Sequence, residues 1–407
     1  MIVTAKRAKD IILLLIFVLY IISSYVCQDA LLPPKINSIL LLVFVGISIF
    51  CFMIRAQSYD LNFSKWYSLY ILYALVSALL MSNNVFPTLY QMFVILILTF
   101  CYSVVINSKD NLEITAVTYV ISAVAMGVLI MYYNPVYLFG NINSLEGERL
   151  GTEETGNANI FTALMMFSGV FAVWLTLYHR HIVLRIFSLL SFLLILYLMA
   201  LSGGRKTIIA LLVCSLYFVW RKGRIKNKLI AIVSIISIMY LLLYLINNVQ
   251  WIYDVVGYRF EGLLGFIGGT GESNVSSDDL RKRMIEIGLQ GWLEKPIFGH
   301  GLDSFKFYNA KVTGHMFYSH NNYVEILYDF GIVGFALYYT FMYKLFKRLT
   351  LLPKEYELYS ILGIGIIIEL LIFDIGGVSY YAHSNMIMLC LATIISYSPK
   401  YFKGESY

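Results

Sequence analysis

Residues Leu184–Lys228 read LRIFSLLSFLLILYLMALSGGRKTIIALLVCSLYFVWRKGRIKNK. From Ile186 to Leu201 the only polar side chains are Ser188, Ser191 and Tyr197, and from Thr207 to Trp220 there is no charge. Between the two runs lies Ser202-Gly203-Gly204-Arg205-Lys206, and beyond them Arg221, Lys222, Arg224, Lys226 and Lys228 follow within eight residues. A helix of about 20 apolar residues spans the ~30 Å hydrocarbon layer of a bilayer. A lipid-exposed β-strand would alternate polar and apolar residues, and these runs do not. Two apolar runs, a tight turn and a basic cluster beyond one end read as a membrane hairpin.

The rest of the chain repeats this pattern. Twelve candidate spans follow: 11–27, 37–54, 66–81, 88–106, 112–133, 157–178, 184–201, 202–220, 229–246, 322–346, 357–373 and 383–396. The expected fold is an all-α, polytopic membrane protein. Spans 1–9 would occupy residues 1–246, a long extracytoplasmic loop 247–321, and spans 10–12 with the C-terminus 322–407. The whole composition agrees. Of 407 residues, 59% are hydrophobic and 13% are charged, against roughly 25% charged in a typical globular domain. A soluble enzyme, a disulfide scaffold and a disordered chain are excluded. The first run follows Lys6, Arg7 and Lys9 and lacks a small-residue cleavage site, so it reads as a retained anchor. All five cysteines lie in or beside apolar runs and read as small buried hydrophobes.

Sorting the cations by side gives orientation. With the N-terminus cytoplasmic, 19 of the 30 Lys and Arg fall in cytoplasmic segments. The short outer loops hold only Lys35, Arg149, Arg205 and Lys206, and the long loop holds the other seven. Positive charge in short loops marks the cytoplasmic side, so both termini are expected there. The long loop carries His300, His315 and His320, three of six histidines. Within it Ser276–Lys295 reads as a helix, with Asp278 and Asp279 in the first turn, Leu280, Met284 and Ile287 at helical spacing, and Pro296 as its stop.

Three outer-face helix starts have a common electrostatic design, because a helix N-terminus favours an anion. Ser202–Thr207 adds Arg205 and Lys206 to such a start, and its two glycines would let a backbone approach an anion. Gly147–Asn159 adds Arg149 among glutamates, with Asn157 and Asn159 as plausible caps. Ser319-His320-Asn321-Asn322 places a histidine where positive potential favours a neutral ring able to accept a proton. Arg281, Lys282 and Arg283 form another basic cluster, but successive helical residues point ~100° apart and cannot all reach one ligand. His300, Asp303, His315 and His320 fit no zinc spacing. Glu325, Asp329, Glu369 and Asp374 lie toward the outer halves of spans and are expected to line a cavity that solvates a polar substrate. A transporter would instead place such charges near mid-bilayer.

Four motifs in order resemble one family. His320-Asn321 precedes an apolar helix with Gly331 and Gly334. Arg281 lies about fifteen residues before Pro296-Ile297-Phe298-Gly299-His300-Gly301. Leu201–Arg205 opens a helix with Ser, Gly and Arg, and Arg149 precedes Gly156-Asn157-Ala158-Asn159. Together, over about residues 140–345, they resemble the O-antigen polymerase and O-antigen ligase superfamily. Two departures are Ile285, where the family often has an aromatic, and His300, where it commonly has a small or aliphatic residue. The resemblance implies a glycosyltransferase at the outer face of the bacterial cytoplasmic membrane. Its donor and acceptor would be oligosaccharides on undecaprenyl diphosphate. His320 would act as general base, with Arg205 and Arg281 on the diphosphate. Arg149, Lys206, Asn159, Asn321, Arg283 and Glu325 would bind substrate. The resemblance implies no metal, no cofactor and no nucleic acid; membrane lipid, a chain-length regulator and a flippase are the expected partners. Nothing in the chain resembles a particular ligase, so polymerase is the expectation, transfer to lipid A–core the alternative, and a lipid-linked oligosaccharide flippase a more distant one.

Overall fold

The structure is a computed structural model that describes residues 2–28, 31–54, 59–79, 85–134, 150–223 and 275–401. Arg149, the span expected at 229–246 and residues 247–274 of the long loop lie outside the described residues. In chain order the α-helices are α1 Ile2–Val26, α2 Pro34–Ile54, α3 Asn62–Ala78, α4 Phe86–Val105, α5 Lys109–Tyr133, α6 Thr152–Thr155 and α7 Ala158–Tyr178. They continue with α8 Ile182–Ser202, α9 Arg205–Lys222, α10 Val275–Glu294, α11 Phe305–Thr313, α12 Asn322–Thr350, α13 Glu357–Asp374 and α14 His383–Tyr401. No strand occurs among the described residues. Eleven of the twelve expected spans fall on these helices.

Eight helical segments are long and apolar enough to cross a membrane: α1, α2, α4, α5, α7, α8, α12 and Lys354–Asp374. Among the described residues this is short of the expected twelve, for local reasons. Helix α3 has 17 residues. Helix α9 holds Arg205, Lys206, Arg221 and Lys222 within 18 residues. Helix α14 has polar ends at His383-Ser384-Asn385 and Pro399-Lys400.

The chain divides into two compact units, residues 1–51 with 109–274, and residues 52–108 with 275–407. In the first unit α7 is the core helix and is buried along most of its length from Ala158 to Leu175. Helices α5, α8 and α9 pack on it, and α1 packs on α5. The Tyr25 hydroxyl reaches the Leu164 carbonyl at 3.1 Å and Ser168 Oγ at 2.9 Å, so a polar group inside the apolar layer is satisfied. Helix α2 buries only Phe44, Ser48 and Cys51, and Ile39, Leu42 and Met53 are widely exposed. Lipid tails are as apolar as these side chains, so in a bilayer that exposure carries no hydrophobic penalty.

In the second unit α3, α4, α12, α13 and α14 pack together, with α10 and α11 against α12. An aromatic cluster fills the contact between α3 and α12. Trp66 stacks on Phe341 with ring centroids 4.0 Å apart, and Tyr67 and Tyr70 are fully buried beside it. The Trp66 indole donates to the Leu337 carbonyl at 3.2 Å. Large aromatic surfaces with a satisfied polar tip make a rigid contact, and it fixes the helix that carries His320-Asn321 at its start.

Candidate active site

Helix α12 begins with an N-cap. Asn321 Oδ1 accepts the Val324 amide at 3.1 Å, and its Nδ2 donates to the Ile375 carbonyl at 3.2 Å. Its side chain is thereby committed to the scaffold. His320, one residue earlier, adopts φ +56°, the left-handed region that most side chains avoid. Both neighbours hold it there. The Ser319 amide donates to Glu325 Oε2 at 2.6 Å, and the Asn321 amide donates to Ser319 Oγ at 3.2 Å. A non-glycine residue kept in this region by its surroundings is a feature concentrated at functional sites.

The half-buried His320 ring packs on Tyr318, with centroids 4.2 Å apart. Burial pushes the Tyr318 phenol up; the Arg281 guanidinium pulls it down and Glu325 pushes it up further. Arg281, from α10, and Glu325, from α12, are therefore both within electrostatic range of this ring. Tyr381, in the turn before α14, has its phenol raised by burial, then by Glu325, Asp303, Asp329 and Tyr318. The second unit thus brings His320, Tyr318, Tyr381, Arg281 and Glu325 into one neighbourhood. Arg281 and Arg283 are both exposed on α10. Neither tyrosine was expected from the sequence. Tyr318 is only two residues from His320, whereas Tyr381 is brought there by tertiary folding alone.

The two glycine motifs lock together. At Gly331 helix α12 is broken, with φ 62° and ψ −166°. The break frees carbonyls and amides, and the turn after α10 takes them. His300 N donates to the Tyr328 carbonyl at 2.9 Å and Gly301 N to the Asp329 carbonyl at 2.7 Å. Ile332 N and Val333 N donate back to the carbonyls of Pro296 and Ile297, at 2.9 and 3.2 Å. A Cβ on Gly331 would lie 2.3 Å from the Ile297 carbonyl oxygen, and one on Gly299 would lie 2.5 Å from the Asp329 carbonyl. Both positions need glycine for room as well as for positive φ. His300 stacks on Tyr328 at 4.4 Å and its Nε2 lies 2.7 Å from the Gly291 carbonyl. It staples the end of α10 to the break. The helix expected at 276–295 is α10, and its Met284 and Ile287 are buried against Phe305 and Tyr328; Leu280 is 47% exposed.

The four acids do not line an open cavity, because all are buried at 0–1% exposure. Asp329 Oδ1 accepts the amides of Ser304 and Phe305 and the Ser304 hydroxyl, at 2.9–3.1 Å. Its Oδ2 accepts the Asp303 amide at 3.1 Å and the Tyr380 hydroxyl at 2.8 Å. Its carboxyl group caps the amides at the N-terminus of α11. Asp374 accepts from Ser379, Tyr339 and Asn322, and Asn322 Oδ1 accepts the Ser379 and Tyr380 amides. This network fixes the turn that carries Tyr381. Glu325 is the acid expected to contact substrate. It is 0% exposed and holds the Ser319 backbone, next to His320. Glu369 is buried, and neither of its oxygens has a hydrogen-bond partner among the described residues. Asp303, also in the left-handed region, accepts from Thr88 and pairs with Lys306.

The first unit carries Asn159, Arg205 and Lys206. Gly203 caps α8 with φ 67°, and the Gly203 and Gly204 amides bond back to Ala200 and Met199 carbonyls. A Cβ on Gly204 would lie 2.5 Å from Thr162 Cγ2. The glycines therefore serve a tight helix–helix turn. Ser202 Oγ donates to the Leu150 carbonyl at 2.6 Å and pins the turn. Arg205 and Lys206 are the first two residues of α9. Asn157 is the N-cap of α7 and accepts the Asn159 amide at 2.8 Å; Asn159 lies half-buried in its first turn.

No curated protein matches the chain. Residues 190–339 match a family model described as O-antigen ligase. The matched stretch starts within α8 and ends within α12, so it holds Ser202–Lys206, Arg281, the Pro296–Gly301 turn and His320 through Gly334. Residues 190–339 are thus similar to an O-antigen ligase domain, and this match supports the O-antigen polymerase and ligase superfamily that the four motifs resemble.

Proposed function

We propose that the chain is a membrane glycosyltransferase of polysaccharide assembly, taking oligosaccharide units from undecaprenyl diphosphate at the outer face of the cytoplasmic membrane. One observation carries the reading. The matched residues include a histidine held in left-handed backbone at the start of a helix, with the amides on either side of it bonded to Glu325 and Ser319. In the reaction an acceptor sugar hydroxyl attacks the anomeric carbon of the donor. The bond from that carbon to the diphosphate oxygen breaks, and the lipid diphosphate leaves with the electron pair. The hydroxyl proton passes to a ring nitrogen of His320 and then to water. Arginines stabilise the charge that develops on the diphosphate, because guanidinium donors match phosphate oxygens in pairs. Arg281 serves this role in the second unit, and Arg205 with Lys206 at the start of α9. Asn321, Glu325 and Tyr318 hold the histidine.

The acceptor we assign is a second lipid-linked repeat unit, which makes the enzyme a polymerase. Transfer to lipid A–core is the second reading, favoured by the ligase description of the matched family. Reconstitution with a lipid-diphosphate repeat unit as sole substrate separates them. A ladder of longer lipid-linked products supports polymerase. Product formed only after lipid A–core is added makes it a ligase. No product under either condition would overturn the glycosyltransferase reading.

A further inference from the structure

At the other end of α12 from His320 lies a hollow of about 440 Å³, lined by Lys344, Lys347, Arg348, Leu351, Leu352, Pro353 and Pro399. Lys344, Lys347, Arg348 and Leu351 are spaced i, i+3, i+4 and i+7, so they share one face of the helix. Lys347 and Arg348 in the last turn are favoured by the helix dipole, but that does not explain why Lys344 joins them in lining one concavity. Arg348 is pre-set. Its Nε donates to the Ser396 carbonyl at 2.9 Å, and its guanidinium lies 3.7 Å from the Tyr397 ring centroid. The remaining lining is apolar. Asp60 is the acid that feels Arg348 and Lys400, and it is buried, with Oδ1 accepting from Asn62. Charge asymmetry assigns this end of the helix to the cytoplasmic side.

We propose that this hollow binds a phosphate-bearing anion, with the headgroup of an anionic membrane lipid as its natural source. Basic hollows between helices at the cytoplasmic surface suit such headgroups. A fixed guanidinium supplies paired donors and two mobile lysines add charge, while Leu351, Leu352, Pro353 and Pro399 suit the glycerol and first acyl carbons. The site is separate from the chemistry at His320 and does not depend on the proposed reaction.

The test uses the full chain purified in neutral detergent. Thermal unfolding is followed while phosphatidylglycerol, phosphatidylcholine or inorganic phosphate is added. A saturable rise in unfolding temperature with phosphatidylglycerol alone is expected. In Lys344→Gln/Lys347→Gln, the lipid concentration for half the effect should rise on the order of tenfold. If that variant does not fold, Lys347→Gln alone should move the midpoint the same way by less. The control Lys282→Gln/Lys311→Gln, at exposed positions on α10 and α11, should leave the lipid response unchanged. An equal rise with inorganic phosphate, lost in the lysine variant, would keep the site and make a soluble anion its source. An equal response to phosphatidylcholine, an unshifted midpoint in the lysine variants, or an equal shift in the control would overturn the proposal.

Discussion

His320 stands at φ +56°, a conformation that costs an L-residue about 1–2 kcal/mol. Glycine would remove that cost and the imidazole together. His320→Gly should therefore lose transferase activity without unfolding at a lower temperature, a separation read by paired activity and thermal-unfolding assays. His320→Ala should lower the rate about 10²–10⁴-fold, the contribution usual for a positioned base; unchanged turnover would remove it from the mechanism. Asp329 behaves in the opposite way. Its carboxylate satisfies three amides and two hydroxyls inside the protein. Asp329→Ala leaves those donors buried and unbonded, and the expected loss is about 3–5 kcal/mol of stability. A sharply lower unfolding temperature or yield of folded protein would report it, whereas an unaltered fold with altered activity would argue for a direct role.

Helix α12 shows how much an element's sequence discloses. Its apolar length, its asparagine cap and its histidine were legible at Asn321–Phe346, because caps and periodicity are local. The Gly331–Gly334 step was legible only as a pattern. Its physical reason lies thirty residues away, in carbonyls offered by Pro296 and Ile297 and amides offered by His300 and Gly301. The acids were misplaced for the same cause: Asp329 looks available until the α11 amides that it caps are brought to it by the fold. The arginines at Arg205 and Arg281 were legible as cations at helical positions, but Tyr381 shares a neighbourhood with His320 only through tertiary packing. Glycine substitutions separate room from freedom. Gly331→Ala meets the Ile297 carbonyl and a forbidden φ together, so it should destabilise the protein by at least about 2 kcal/mol. In α2, a Cβ on Gly46 would meet nothing within 4 Å, so Gly46→Ala should be neutral or stabilise by up to about 1 kcal/mol. Unfolding temperatures of the two variants test the contrast.

Across the whole chain, the places where cations gather predict an orientation that can be tested. Single cysteines introduced at Lys222 and Lys344 into a variant whose five native cysteines are replaced should react with an impermeant thiol reagent only from the cytoplasmic side. One at Lys311 should react only from outside. Labelling of all three from one side would overturn the topology. The break at Gly331 has a further consequence for such a molecule. A membrane helix adapts to a thicker or thinner bilayer by tilting, and an unbroken helix would carry its first residues along. Here the break does not release them, because the Pro296–Gly301 turn is hydrogen-bonded to Tyr328 and Asp329 before it and to Ile332 and Val333 after it. Turnover in vesicles should therefore change as acyl-chain length changes by a few carbons. The joint acts as a clamp, passing hydrophobic mismatch along the remainder of the helix to the reacting end of α12.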